Sequence, residues 1–364
     1  MNYRKIIYSM LIAWFSLSYI TGQEFTNQVV RAYKISNATS VDVYNKYGKI
    51  HVISWEKDSV KFIIDIKIRN KDAEKLNKIK NNISFEFIPT VYYVTARTQI
   101  GNGTEDAFKN IVDIAGSMFS SQNQIQIDYT IMVPTYTSLK LENKFGDVYL
   151  DDRHGNLNLT LSYGDFKANS LNGNCSIKLS SGDAEINSLN DGQVTISYSN
   201  LHIIKAQKLS LESRSSNVNI DEINDLTLRS RRDKLILPNV RILNGDSYFS
   251  EFSLLGLQQE LDYIFRYGSL TIDNISKGFS AITINSEYTD LRLSFVKGSS
   301  YNIEITHHQD ALLSYPRSLG TLNEKIQNAA EKQKITYGRL GIGQSDSRVT
   351  ISAPKKCIIS IIQK

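Results

Sequence analysis

Three aspartates, Asp147, Asp165 and Asp183, recur at intervals of 18 residues. Carboxylates in a row about 5 Å apart on stacked strands repel, raise one another's pKa, or accept calcium. They are the candidate metal ligands, and the same row could serve a polysaccharide-cleaving β-helix as its acid/base set. Asn200 and Asn217 continue the series without charge. That pattern suits aspartates that cap their own turns through backbone N–H groups, and it weakens both chemical readings. A second constellation is basic: Arg229, Arg231, Arg232 and Lys234 form a candidate patch for anionic polymers, with a solvated face as the plainer reading. A third is apolar: Phe108, Met118 and Phe119, in a segment of mixed composition, are candidate docking residues. The five histidines include one cluster, His307-His308 beside Asp310. Adjacent strand residues point to opposite faces, so these two cannot easily share a metal and are expected on the surface. No H-E-x-x-H, G-x-S-x-G, P-loop or C-x-x-C motif occurs. The expectation is therefore no catalytic residues and no cofactor.

What must position these residues is a repeat. An eight-residue phrase, an aromatic followed by Gly or a small polar residue, Asp or Asn, then apolar-x-apolar, appears as NKYGKIHV (45–52), NKFGDVYL (143–150), LSYGDFKA (161–168) and LSSGDAEI (179–186). Weaker copies start at 196, 213, 230, 247, 265 and 286, so from 143 the step is 18, 18, 17, 17, 17, 17, 18 and 21 residues. Each unit holds two alternating strands, for example Leu157/Leu159/Leu161 before the corner and Val218/Ile220 after it. The polar pair between them, Gly-Asp, Ser-Asn or Arg-Asp, is expected to supply positive φ or an Asx-turn.

Two strands and two turns in 17–18 residues leave no room for a crossover helix. They predict an all-β, parallel β-solenoid of about nine coils, each strand pairing with its equivalent one coil away at about 4.8 Å. Leu159, Leu179, Leu211 and Leu228 should face inward at equivalent positions. A β-sandwich is the alternative, disfavoured by the fixed step. The aromatic position (Tyr47, Phe145, Tyr163, Tyr198, Phe249, Tyr267, Tyr288) shares parity with the inward leucines and is expected to fill the corner of the core. An exposed strip for stacking on sugar rings is the other reading.

The chain divides into a leader (1–22), an N-terminal strand-rich region with helical insertions (23–134), the repeats (135–308), and a C-terminal part with a polar helix at 321–334 and closing strands (309–364). A helix is expected at 71–79, and a short helix or a mobile insertion over 105–119, acting as a cap or a docking element. The end regions should cover the unpaired edges of the solenoid. The leader has Arg4 and Lys5, an apolar stretch from Ile6 to Ile20, and Thr21-Gly22-Gln23 as its cleavage zone, the pattern of a secretory signal. No other stretch is apolar enough to span a membrane. The net charge is +5; loss of Arg4 and Lys5 lowers it by two, a weak excess that gives no argument for nucleic acid. Cys175 and Cys357 are expected to be lone buried thiols.

Several of these phrases resemble a known family. NKYGKI (45–50), SWEKDSV (54–60), DYTIMVP (128–134) and NKFGDV (143–148) resemble the exported β-strand-repeat proteins of Bacteroidota that carry an adhesin label and are related to autotransporter-head-like domains. The resemblance spans 29–362. It implies a β-solenoid at the cell surface or in the periplasm of a Gram-negative bacterium, and no established activity. The resulting expectation is a non-enzymatic, adhesin-like structural and binding protein, with surface glycans or envelope proteins as partners and no nucleic acid. The alternatives are a carbohydrate-active enzyme using the Asp row and a periplasmic envelope-stress regulatory partner.

Overall fold

The computed structural model describes residues 23–101 and 123–364. The expected leader and the 105–119 segment lie outside them, as do Phe108, Met118 and Phe119. The described chain is nearly all β: one large, mostly parallel sheet of 22 strands, with a single α-helix at Ala73–Asn81 and one 3-10 turn at Arg317–Leu319. Among the described residues no helix is long and apolar enough to cross a membrane.

Successive repeats stack in register as rungs. Leu157 pairs with Leu139 on one side and Cys175 on the other. Past the corner, Phe166 lies between Val148 and Ala184, and Leu201 and Val218 continue the file. Because each strand alternates and the register keeps parity, like stacks on like and a single core forms. One rung contributes Leu157, Leu159 and Leu161, then Phe166 and Ala168, then Leu171, all buried. Leu159, Leu179, Leu211 and Leu228 are 0 to 3% exposed, as the alternation requires, but they are not all equivalent: Leu179 stacks on Leu161, two residues along the strand from the file that holds Leu159, Leu211 and Leu228. Winding is continuous enough that Lys234–Ile275 forms one 42-residue extended stretch.

The strands Ser40–Lys46 and Ile50–Ser54, expected upstream of the repeats, stack directly on 139–150: Asn45 pairs with Asn143 and Ile50 with Val148. The boundary expected at 134 thus falls inside one sheet. Beyond this rung the chain turns antiparallel. Asn123–Val133 pairs parallel with Ile50–Ser54, then Ser59–Asn70 and Gln23–Lys34 add antiparallel strands outside it. The helix forms where expected. Asp72 caps it by accepting the N–H groups of Glu74 and Lys75, and Leu76 and Ile79 are its buried face, whereas Ala73 is exposed.

The other end is stitched rather than stacked in chain order. The strand Tyr301–His308 lies beyond Ala281–Phe295, and the penultimate strand Arg348–Ala353 returns to insert between them. The helix expected at 321–334 is not there. Asn323–Asn328 and Gln333–Leu340 form an antiparallel hairpin that closes the edge of Tyr301–His308. Its helix-favouring residues are exposed, so propensity yields to the backbone hydrogen bonds an open parallel edge demands.

Positive φ also lies elsewhere than expected. It falls on the aromatic position itself, at Tyr47, Phe145, Tyr163, Ser181, Tyr198, Ser215, Arg232, Phe249, Tyr267 and Tyr288, with φ between 51° and 64°. The glycine that follows serves close approach: a Cβ on Gly164 would stand 2.2 Å from the carbonyl oxygen of Gly146 on the next rung.

Candidate functional site

The left-handed corner turns the aromatic side chains outward, reversing the expectation that they fill the core. Tyr163, Tyr198, Phe249 and Tyr288 are each about half exposed or more. Rung spacing stacks them in two runs. Tyr47, Phe145 and Tyr163 have ring centroids 5.5 and 5.1 Å apart, and Phe249, Tyr267 and Tyr288 have centroids 4.8 and 5.3 Å apart. Between the runs the same position holds Ser181, Tyr198, Ser215 and Arg232.

The residue just before the corner forms a second outward file. Lys46 pairs in register with Lys144 and then Ser162, Ser180, Ser197, Arg214, Arg231 and Tyr248 follow. Arg214, Arg231, Arg232, Tyr248, Asp246 and Arg266 line a cleft of 420 Å³ where the two files meet. Arg266 faces Glu287 at 3.9 Å, whereas Arg214, Arg231 and Arg232 have no ion-pair partner among the described residues. Of the basic candidates, Arg231 and Arg232 therefore share one site. Arg229 points to the same side but lies between Glu212 (3.3 Å) and Asp246 (3.9 Å). Lys234 lies across the corner, next to Asn217. Arg214, Arg266 and Tyr248 escaped the sequence reading. Arg214 occupies the repeat position of Arg231, and aligning the copies residue by residue would have found it.

The aspartate row caps rung to rung, not within its own turn. Asp147 Oδ1 accepts the N–H of Asp165, and Asp165 Oδ1 that of Asp183, both at 2.9 Å. Asp128 starts the row on the N–H of Lys49, while Asn200 Nδ2 donates to Asp183 and Asn217 Nδ2 to Asn200. Among the described residues no three His, Cys, Asp or Glu groups come together as metal ligands.

Inside the corner the polar groups form a ladder. Asn45 and Asn143 are buried and give their amides to the carbonyls of Gly48, Ile127 and Gly146, which explains the Asn of the N-K-[YF]-G phrase. Where glycine is replaced, the new side chain reaches back one rung: Ser199 N–H donates to Ser216 Oγ, Ser216 N–H to Asp233 Oδ1, and Asp233 N–H to Ser250 Oγ. Burial pushes the Asp233 carboxyl above its ordinary value, opposed by donation from Ser230 and from the N–H groups of Ser216 and Arg231. His307 is buried, not a surface residue; its ring nitrogens meet the His308 carbonyl and the Thr336 hydroxyl, each at 2.9 Å. Cys175 and Cys357 are free and buried, and burial pushes both thiols up to about 11.

No family model and no curated protein matches the sequence. Two solved structures are similar along almost the whole chain. A "putative cell adhesion protein" from Clostridium sporogenes is 10% identical over 93% of this chain and 100% of its own, with a TM-score of 0.21. A "putative adhesin" from Bacteroides fragilis is 13% identical over 92% and 97%, with a TM-score of 0.20. Similarity at this level carries no argument about function.

Proposed function

We propose that this chain is a parallel β-solenoid acting outside the cytoplasm as a non-enzymatic, adhesin-like structural and binding protein. The observation that carries the reading is the commitment of the aspartate row. Asp147 and Asp165 each hold a backbone N–H of the following rung, so the carboxylates spaced for acid/base chemistry work as rung-to-rung caps. Antiparallel strands flank the stacked repeats at both ends, and on this reading the outward files are the surface for a partner. Export rests on the leader-like 1–22 segment, and surface glycans or envelope proteins are the partners this reading expects.

Two measurements test it. Zymograms of the purified mature chain on acidic and neutral polysaccharides should show no depolymerisation, and beads coated with the chain should attach to cells. Polysaccharide turnover that Asp165→Asn abolishes would make it an enzyme and defeat the proposal.

A further inference from the structure

We propose that the basic edge formed by Lys46, Lys144, Arg214, Arg231, Arg232 and Arg266 binds a linear acidic polysaccharide laid along the stack of rungs. This deepens the reading of the chain as a surface binding protein and rests on it.

The first argument is charge. At several outward positions cross-rung neighbours are matched: Lys167 with Glu185 at 2.8 Å, Lys205 with Glu222 at 3.7 Å, Arg229 with Glu212 at 3.3 Å. In the file before the corner they are not. Lys46 lies in register with Lys144 and Arg214 with Arg231, and none of the four has an ion pair among the described residues. Like charges directly opposite on adjacent strands are destabilising. Lys144 offsets part of this by standing over the rings of Phe145 and Tyr163, whereas Arg214 and Arg231 have neither an ion pair nor a ring partner among the described residues. An anionic ligand removes the repulsion, and guanidinium groups match carboxylate or sulfate oxygens in a bidentate fork.

The second argument is shape. The two basic clusters lie in one file, separated by Ser162, Ser180 and Ser197, so a ligand touching both must be long and run along the rod. Beside that serine stretch, Tyr198 is 61% exposed and sits between Ser181 and Ser215, with no aromatic neighbour in its file. It offers one platform for a pyranose ring between the two ends.

The third argument separates a glycan from single-stranded nucleic acid, which the pairing of arginine with aromatics would also suit. Such binding stacks successive bases on successive ring faces. Here the faces within both runs cover one another at 4.8 to 5.5 Å, leaving no room for a base between them.

The test measures binding of the full mature chain to polygalacturonate, heparin, neutral amylose and a single-stranded oligothymidylate at several salt concentrations. The acidic polysaccharides should bind and weaken with salt, and amylose should not bind. The double variant Arg214→Ser/Arg231→Ser should lose affinity about tenfold or more, since each lost charged hydrogen bond weakens binding severalfold or more. Serine already occupies this file at 180 and 197, and an unchanged melting temperature verifies the fold. The paired Arg229→Ser should stay within about twofold of wild type. The inference is overturned if no acidic polysaccharide binds, if the double variant binds as wild type does, or if oligothymidylate alone binds. Cell attachment by coated beads keeps the two readings apart. Attachment without polyanion binding defeats the inference alone, and polyanion binding without attachment defeats the adhesin reading alone.

Discussion

Arg153 Nη2 donates to the carbonyl oxygen of Pro134 at 2.7 Å, and the same nitrogen reaches the Thr137 carbonyl at 2.8 Å. The side chain is 1% exposed, so a guanidinium is buried against backbone oxygens. Burial pulls its pKa down to about 10, partly offset by Asp151. This contact ties the loop after Asn123–Val133 to the following rung, which also receives Asn172 N–H at the Arg153 carbonyl. It joins the N-terminal strands to the repeats.

Arg153→Leu should therefore destabilise the chain by about 3 kcal/mol, because it leaves the Thr137 carbonyl without a donor and the Pro134 carbonyl with only the Thr137 N–H. Urea denaturation of wild type, Arg153→Leu and Arg153→Lys measures this, with Lys expected between the other two. A loss below about 1 kcal/mol in Arg153→Leu would mean that the loop is held by its backbone bonds alone.

Gly164 tests the spacing of the rungs. An alanine there places Cβ 2.2 Å from the Gly146 carbonyl oxygen, and backbone cannot swing aside as a side chain can. Gly164→Ala should cost about 3 kcal/mol. Gly278, at φ +71° with open space around it, should lose only about 1 kcal/mol on change to alanine. Equal melting temperatures for the two variants would contradict the close stacking at the corner.

Asp233 gives a pH signature. A carboxyl whose folded pKa lies above its unfolded value binds more protons folded than unfolded in the interval between them. Its stabilising contribution is full below the ordinary value of 3.8 and is lost as pH rises through the raised folded value. The stability of wild type relative to Asp233→Asn should accordingly fall as pH rises from 3.8. Urea denaturation curves of both proteins across the acid range measure it, and a difference that is flat or grows with pH refutes the assignment.

Alternation and step, both readable in one dimension, determined much of this protein. The leucines at 159, 179, 211 and 228 all face inward, as the alternation announced, and the register stacks Leu159, Leu211 and Leu228 in one file through Ile177 and Val194, whereas Leu179 belongs to the neighbouring file with Leu161. The Asp-Asn series announced turn capping, although not that each cap reaches the next rung. Three matters were decided only by the tertiary structure. The aromatic position faces outward because the corner residue is left-handed, and strand parity does not carry through a residue with positive φ. The 321–334 segment is a hairpin because an exposed parallel edge needs backbone partners more than its residues need a helix. The basic edge exists because stacking brings Arg214 over Arg231 and sets Arg266 beside Arg231 and Arg232, joining residues from three different repeats. Sequence periodicity says which positions are equivalent. Only the stacked backbone says which way each corner turns and which charges it leaves unmatched.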